Sequence, residues 1–155
     1  HPRKALIVID YAHTPDALEQ VLMSLKNQTE RKVYVVFGCG GERDKGKRSQ
    51  MGKVAESIAD SIIITDDNPR NESASKIRSD ILAGCPDAIQ IANRDEAIEF
   101  AINQLQHSDS LLIAGKGHEN LQLIGSETLP FNDAVVARNS VIRLRETILK
   151  SEAKK

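Results

Sequence analysis

Ser61-Ile62-Ile63-Ile64-Thr65-Asp66-Asp67-Asn68-Pro69-Arg70 joins a short apolar run to an abrupt polar stop. The isoleucines read as a buried strand. The polar residues that follow then sit at its carboxyl end, the edge at which open α/β sheets bind ligands. An Asn amide and an Arg guanidinium placed there can hold a carboxylate by two-point hydrogen bonding. Taken alone, the stretch reads equally well as a polar turn, with Pro69 setting the bend and Arg70 in solvent.

The flanking sequence repeats the pattern of apolar run, polar stop and amphipathic stretch. Strands are expected at 5–9, 33–37, 62–64, 89–92 and 111–114. Helices are expected between and after them, at 15–26, 48–60, 73–83, 94–105 and 132–149, each with apolar residues at helical spacing. Residues 121–124 and 127–129 flank Gly125-Ser126 as a hairpin that Pro130 terminates. Residues 151–155 read as a frayed polar tail. Strand–helix alternation implies a doubly wound α/β domain with a mostly parallel sheet, the late hairpin lying antiparallel at an edge. One domain is expected over 1–155.

The 155 residues carry a net charge of −1, so no global field draws the chain to nucleic acid or membrane and an anion site must be local. Aromatics make up 3%, too few for a base-stacking platform. No apolar run approaches the roughly 20 residues of a membrane span. Cys39 and Cys85 form no CxxC pair, which argues against zinc. Spacing leaves a disulfide open, and two free thiols are the simpler reading. The start at His1-Pro2-Arg3, without Met, reads as a segment of something longer.

Three further loops follow strands. In Asp10-Tyr11-Ala12-His13-Thr14-Pro15-Asp16, a carboxylate at a strand end can accept from ribose hydroxyls, and Thr14 and Pro15 suit a helix start. Asp10 and His13 serve equally to organise the turn. Gly38-Cys39-Gly40-Gly41-Glu42-Arg43-Asp44-Lys45-Gly46-Lys47-Arg48 matches a P-loop only up to the Lys, because Arg48 stands where Ser or Thr must ligate Mg²⁺. It fails the GxGxxG fingerprint at Arg43, which disfavours a dinucleotide-binding dehydrogenase. It reads as a flexible, cation-bearing loop suited to an anion, with a solvated charged loop as the plain alternative. Gly115-Lys116-Gly117-His118-Glu119 offers glycines for close backbone approach and a carboxylate for an ammonium, or simply an exposed exit from a strand. Together these loops offer cations (Arg43, Arg70), an amide (Asn68) and an acceptor (Glu119), a set suited to a ligand with both carboxylates and amines.

The four motifs, in this order, resemble the C-terminal domain of the Mur ligases, and most closely the members that attach diaminopimelate as the third residue of the peptidoglycan stem peptide. The resemblance runs from about residue 7 to 138. It implies a cytoplasmic bacterial ligase that uses ATP and Mg²⁺ to phosphorylate the D-glutamate side-chain carboxylate of UDP-N-acetylmuramoyl dipeptide. The amine of meso-diaminopimelate then attacks. It further implies that Arg43, Asp67, Asn68, Arg70, Gly115 and Glu119 hold meso-diaminopimelate, and that Asp10, Tyr11 and His13 face the nucleotide. Catalytic and metal-holding residues belong to a central ATPase domain that this chain lacks, as it lacks the UDP-sugar domain. The chain is therefore expected to be inactive alone. Glu42 stands where the family more often has Asp, and Ser49 where it often has Pro.

Physics supports the choice of amino acid. Diaminopimelate differs from lysine by one distal carboxylate. Arg70, with Asn68 beside it, supplies a cation satisfied only by that carboxylate, and lysine would leave it desolvated and unpaired at a cost of several kcal/mol. The readings left beside this one are a lysine-adding relative and a stand-alone module that binds an amino acid or nucleotide.

Overall fold

The computed structural model describes residues 1–154. Its strands are β1 (Leu6–Asp10), β2 (Val33–Phe37), β3 (Ser61–Ile64), β4 (Ile89–Gln90), β5 (Ser110–Ala114), β6 (Leu121–Ile124) and β7 (Glu127–Pro130). Its helices are α1 (Pro15–Gln28), α2 (Gly46–Ile58), α3 (Ala74–Leu82), α4 (Arg94–Gln104) and α5 (Asp133–Glu152). β1 to β5 form one wholly parallel sheet in the order β1-β5-β2-β3-β4.

Two cores explain the long apolar runs. Val35, Phe37, Ile62, Ile64, Leu112 and Ala114 face α1, α2 and α3. Their neighbours Val36, Ile63, Leu111 and Ile113 face α4 and α5. Strands buried on both faces have no reason to alternate with polar residues. Among the described residues no helix is long and apolar enough to cross a membrane.

Caps set most helix starts. Thr14, Ser73, Asn93 and Asn132 each accept a backbone N–H from the first turn of the helix they precede. Helix α2 starts two residues before the expected Arg48, at Gly46, whose N–H is taken by the Asp44 carboxylate at 2.8 Å. β4 is only two residues long because the chain must turn to place Asn93 as the α4 cap, although Ile91 still donates to the Ile64 carbonyl. Helix α5 runs through Ser151 and Glu152, so the expected tail is shorter than 151–155, and Lys155 lies outside the described residues.

The hairpin is antiparallel as expected, with Gly125 at φ 58° in its two-residue turn. It forms its own two-stranded sheet and adds no strand to the main one. Its attachment is to the loop after β3. The Arg70 N–H donates to the Leu123 carbonyl (3.0 Å), the Gly125 N–H to the Arg70 carbonyl (2.6 Å), and the buried Gln122 amide to the Asp67 carbonyl (2.7 Å).

A buried ion pair locks the second face to the sheet's carboxyl edge. Arg94, the first residue of α4, donates bidentately to Asp133, the first of α5, at 2.8 Å through both Nε and Nη2. Nη2 also reaches the Ala114 carbonyl at 2.9 Å. Both side chains are fully buried. Removing one partner strands a buried charge, so Asp133→Ala is expected to lower the unfolding free energy by about 3–5 kcal/mol, read from urea transitions. A loss below about 1 kcal/mol, the range of an exposed pair, would contradict the burial described.

Candidate functional site

All five parallel strands point the same way, so the loops after β1, β2, β3 and β5 meet at one edge. They enclose a cleft of about 250 Å³. The site lies where the connections diverge: β1 and β2 lead to helices on one face, while β5, between them, leads on to α5 on the other.

Arg43, Asp67, Asn68, Arg70, Gly115 and Glu119 all line this cleft, joined by Tyr11 and His13 from the loop after β1. Asp10 does not. Its carboxylate accepts the Ala12 N–H at 2.7 Å, and it lines an adjacent depression shared with Tyr11, Gly117 and His118. The Tyr11 ring, half exposed, divides the two spaces, with its centroid 4.5 Å from the His13 ring and 6.2 Å from that of His118.

The loop after β2 is pinned where the sequence suggested flexibility. The Gly41 N–H donates to the Asn68 carbonyl at 2.8 Å, and a Cβ on Gly41 would sit 1.9 Å from the Pro69 carbonyl oxygen. Gly115 follows the same logic: at φ 110°, a Cβ there would lie 2.8 Å from the Asp67 carboxylate. These glycines admit neighbouring loops of the protein itself.

Arg70 has φ 53°, a conformation that non-glycine residues seldom adopt. The two backbone bonds to the hairpin hold it there. Its guanidinium donates to the Gly41 carbonyl at 2.8 Å and stays partly exposed at the cleft wall. Asp66, despite its place in the motif, pairs with Arg78 of α3. Lys47 lines the cleft and donates to the His13 carbonyl at 3.0 Å.

Arg48, the last cation of the loop after β2 that the sequence suggested for an anion, is fully buried and engaged by the protein's own carboxylates. It donates to Glu72 at 3.0 and 3.1 Å, to Asp80 at 3.1 Å and to the Gly40 carbonyl at 3.3 Å, tying α2 to α3 and to the loop after β3. Sequence gave no reason to single out Lys116 either. It is fully buried beneath the cleft, with Asn68 at 2.9 Å and Glu119 at 3.1 Å. The one available signal was its place between two glycines at a strand end. Both cysteines are free and buried. Burial pushes the Cys39 thiol up to about 12 and that of Cys85 to about 11, so neither is a nucleophile near neutrality.

The model for the family described as "Mur ligase, glutamate ligase domain" matches residues 1–117. The chain belongs to the Mur ligase family. Among Mur ligases it is 58% identical over 139 residues to the UDP-N-acetylmuramoyl-L-alanyl-D-glutamate–2,6-diaminopimelate ligase of Rickettsia montanensis, covering 87% of this chain and 29% of that protein. It is 51% identical over 140 residues to the same-named ligase of Agrobacterium fabrum, covering 90% and 29%. A solved structure of a ligase of that name superposes with a TM-score of 0.87 at 43% identity, over 92% of this chain and 30% of the other. The chain thus spans under a third of the length of these Mur ligases. A bifunctional folylpolyglutamate synthase/dihydrofolate synthase from Yersinia pestis shares the fold, with a TM-score of 0.58 at 17% identity over 88% of this chain and 28% of the other.

The Arg48 cluster makes a prediction about acid stability. The Glu42 N–H, followed by the Arg48 guanidinium, holds the Glu72 carboxyl below its ordinary 4.5. Lys76, followed by Arg48, holds Asp80 below 3.8. The folded chain therefore binds fewer protons than the unfolded one in this range. The stabilisation is complete above about pH 4.5 and is lost as pH falls through the folded values. Wild type is expected to be more stable than Glu72→Gln at pH 7, with the gap narrowing towards pH 3 in urea titrations. A gap independent of pH would rule the linkage out.

Proposed function

We propose that this chain is the C-terminal domain of a three-domain, ATP-dependent ligase that joins meso-diaminopimelate to UDP-N-acetylmuramoyl-L-alanyl-D-glutamate in the bacterial cytoplasm. Its cleft receives the incoming amino acid. The observation that carries this reading is the donor and acceptor set of that cleft. Arg43, Arg70 and the Asn68 amide face the same space as Asp67 and Glu119. Meso-diaminopimelate presents two carboxylates and two ammonium groups, and needs both signs of partner. The name shared by relatives at 51–58% identity supports the same substrate.

In this reading Arg70 and Asn68 take the distal carboxylate, and Glu119 with the Gly115 carbonyl takes the ammonium beside it. Arg43, exposed on its loop, closes over the other end. The αL backbone of Arg70 and its bond to Gly41 place the guanidinium before a ligand arrives, which lowers the entropy lost on binding. Lysine would leave that guanidinium without a carboxylate.

The nucleotide side is the depression lined by Asp10, Tyr11 and His118, while His13, expected beside them, lines the adjoining cleft. Asp10 is partly exposed there, and a ribose hydroxyl is a fitting donor to it. In this reading the metal and the phosphates belong to the central domain, and this domain supplies the amino acid to it by closure, which excludes water.

The test is an NMR titration of the chain with meso-diaminopimelate and with L-lysine, followed by kinetics of the full-length enzyme. Saturable shifts at Asn68, Arg70 and Glu119 are expected with diaminopimelate only. Arg70→Ala is expected to raise the KM for diaminopimelate at least about tenfold, the value of a hydrogen bond to a charged group, with the KM for ATP nearly unchanged. Tighter lysine binding would overturn the substrate, and equal effects on both KM values would overturn the assignment of Arg70.

A further inference from the structure

A lysine with no exposed surface is costly unless every proton of its ammonium has a use. Lys116 is such a residue. It leaves the end of β5 between Gly115 and Gly117, and its Nζ lies 2.9 Å from Asn68 Oδ1, 3.1 Å from Glu119 Oε2 and 3.8 Å from Asp67 Oδ1. Asn68 Oδ1 also accepts the Leu123 N–H at 3.0 Å. Two donors fill the two lone pairs of an amide oxygen. They also forbid the flipped amide, which would set the NH₂ group against an ammonium and a backbone N–H.

The Asn68 nitrogen must therefore turn the other way. One of its N–H groups reaches Glu119 Oε2 at 3.3 Å. The second has no partner among the described residues. Glu119 uses Oε2 for both Lys116 and Asn68, and Oε1 accepts no hydrogen bond among the described residues.

We propose that Lys116 is the positioning residue of this cleft: by occupying the Asn68 carboxamide oxygen, it commits that amide to act as a donor towards the amino-acid ligand. Without Lys116 only the Leu123 N–H would hold that oxygen, and only the NH₂ end can bind a carboxylate. Lys116 itself stays beneath the wall and touches no ligand. Its ammonium sits against Asp67, Asn68 and Glu119, so its charge is offset inside the protein and does not compete with Arg70 for the ligand.

This inference rests on the function proposed above and is tested in the same full-length enzyme. Lys116→Met is expected to raise the KM for meso-diaminopimelate about tenfold, with the KM for ATP and kcat changing less than about threefold. Adding Lys116→Met to Asn68→Ala is expected to have less than about a threefold further effect, because the group it orients is already gone. Full additivity in that background, or equal rises in both KM values, would reduce Lys116 to a packing residue and overturn the proposal. The side-chain NH₂ resonances of Asn68 provide a readout that packing alone does not move. They should shift in Lys116→Met before ligand is added, and unchanged resonances would count against the proposal. If Lys116→Met does not fold, Lys116→Gln, which keeps a donor, takes its place: it should retain most of the wild-type KM, and a rise of about tenfold would count against the proposal. A wild-type enzyme that prefers another amino acid would sink the substrate reading alone, and the split between KM values would then be measured with that amino acid.

Discussion

Parallel pairing of five strands is the constraint from which the rest of this structure follows. Because every strand runs the same way, every return must cross a face, and the sheet is covered on both sides. The loops that leave the strands have only one edge to occupy. Order within the sheet does the remaining work. By inserting β5 between β1 and β2, the topology opens a crevice where the following segments part to opposite faces. The four polar motifs are spread over more than a hundred residues of sequence, yet they have no alternative to meeting there.

Much of this was legible in the sequence for a physical reason. Strands buried on both faces show as unbroken apolar runs, and capping residues announce helix starts, so Val33–Phe37 and the Thr14-Pro15 start of α1 were readable to the residue. The polar motifs at strand ends could also be placed at one edge from topology alone, and six of the residues chosen for an amino-acid ligand do share one cleft. What escaped the sequence is the burial of charge. Arg48, Arg94 and Lys116 sit in polar, charged stretches that look solvated. Their partners lie far along the chain: Glu72 and Asp80 for Arg48, Asp133 for Arg94, and Asn68 for Lys116. Pairing of that kind has no periodicity and leaves no local mark. Asp10 lies at the edge its motif indicated, in the depression next to the cleft that Tyr11 also lines.

These buried cations divide the work among themselves. Arg94 secures the amino ends of α4 and α5 against the last carbonyl of β5, and Arg48 secures α2 against α3 and the loop after β3. Lys116 ties the loops after β3 and β5 to each other. Each spans two segments of the fold. Charged pairs are poor sources of net stability but demanding about geometry, since a misplaced partner leaves a charge uncompensated. Support of that kind holds charged side chains in one geometry.

The hairpin ties the site to a peripheral segment. It shares no ladder with the main sheet, and its hold on the body of the protein passes through Asp67, Asn68 and Arg70. Its strands are short and largely solvent-facing, as expected of a segment that opens well below the global unfolding energy. When it lifts away, Arg70 loses the bonds that keep its backbone left-handed, and the Asn68 oxygen loses one of its two donors. Release of the hairpin and loosening of the cleft wall at Asn68 and Arg70 are thus coupled. A ligand seated on that wall would be felt as slowed solvent exchange at the amides of Leu123 and Gly125, residues that point away from it in sequence but share its fate.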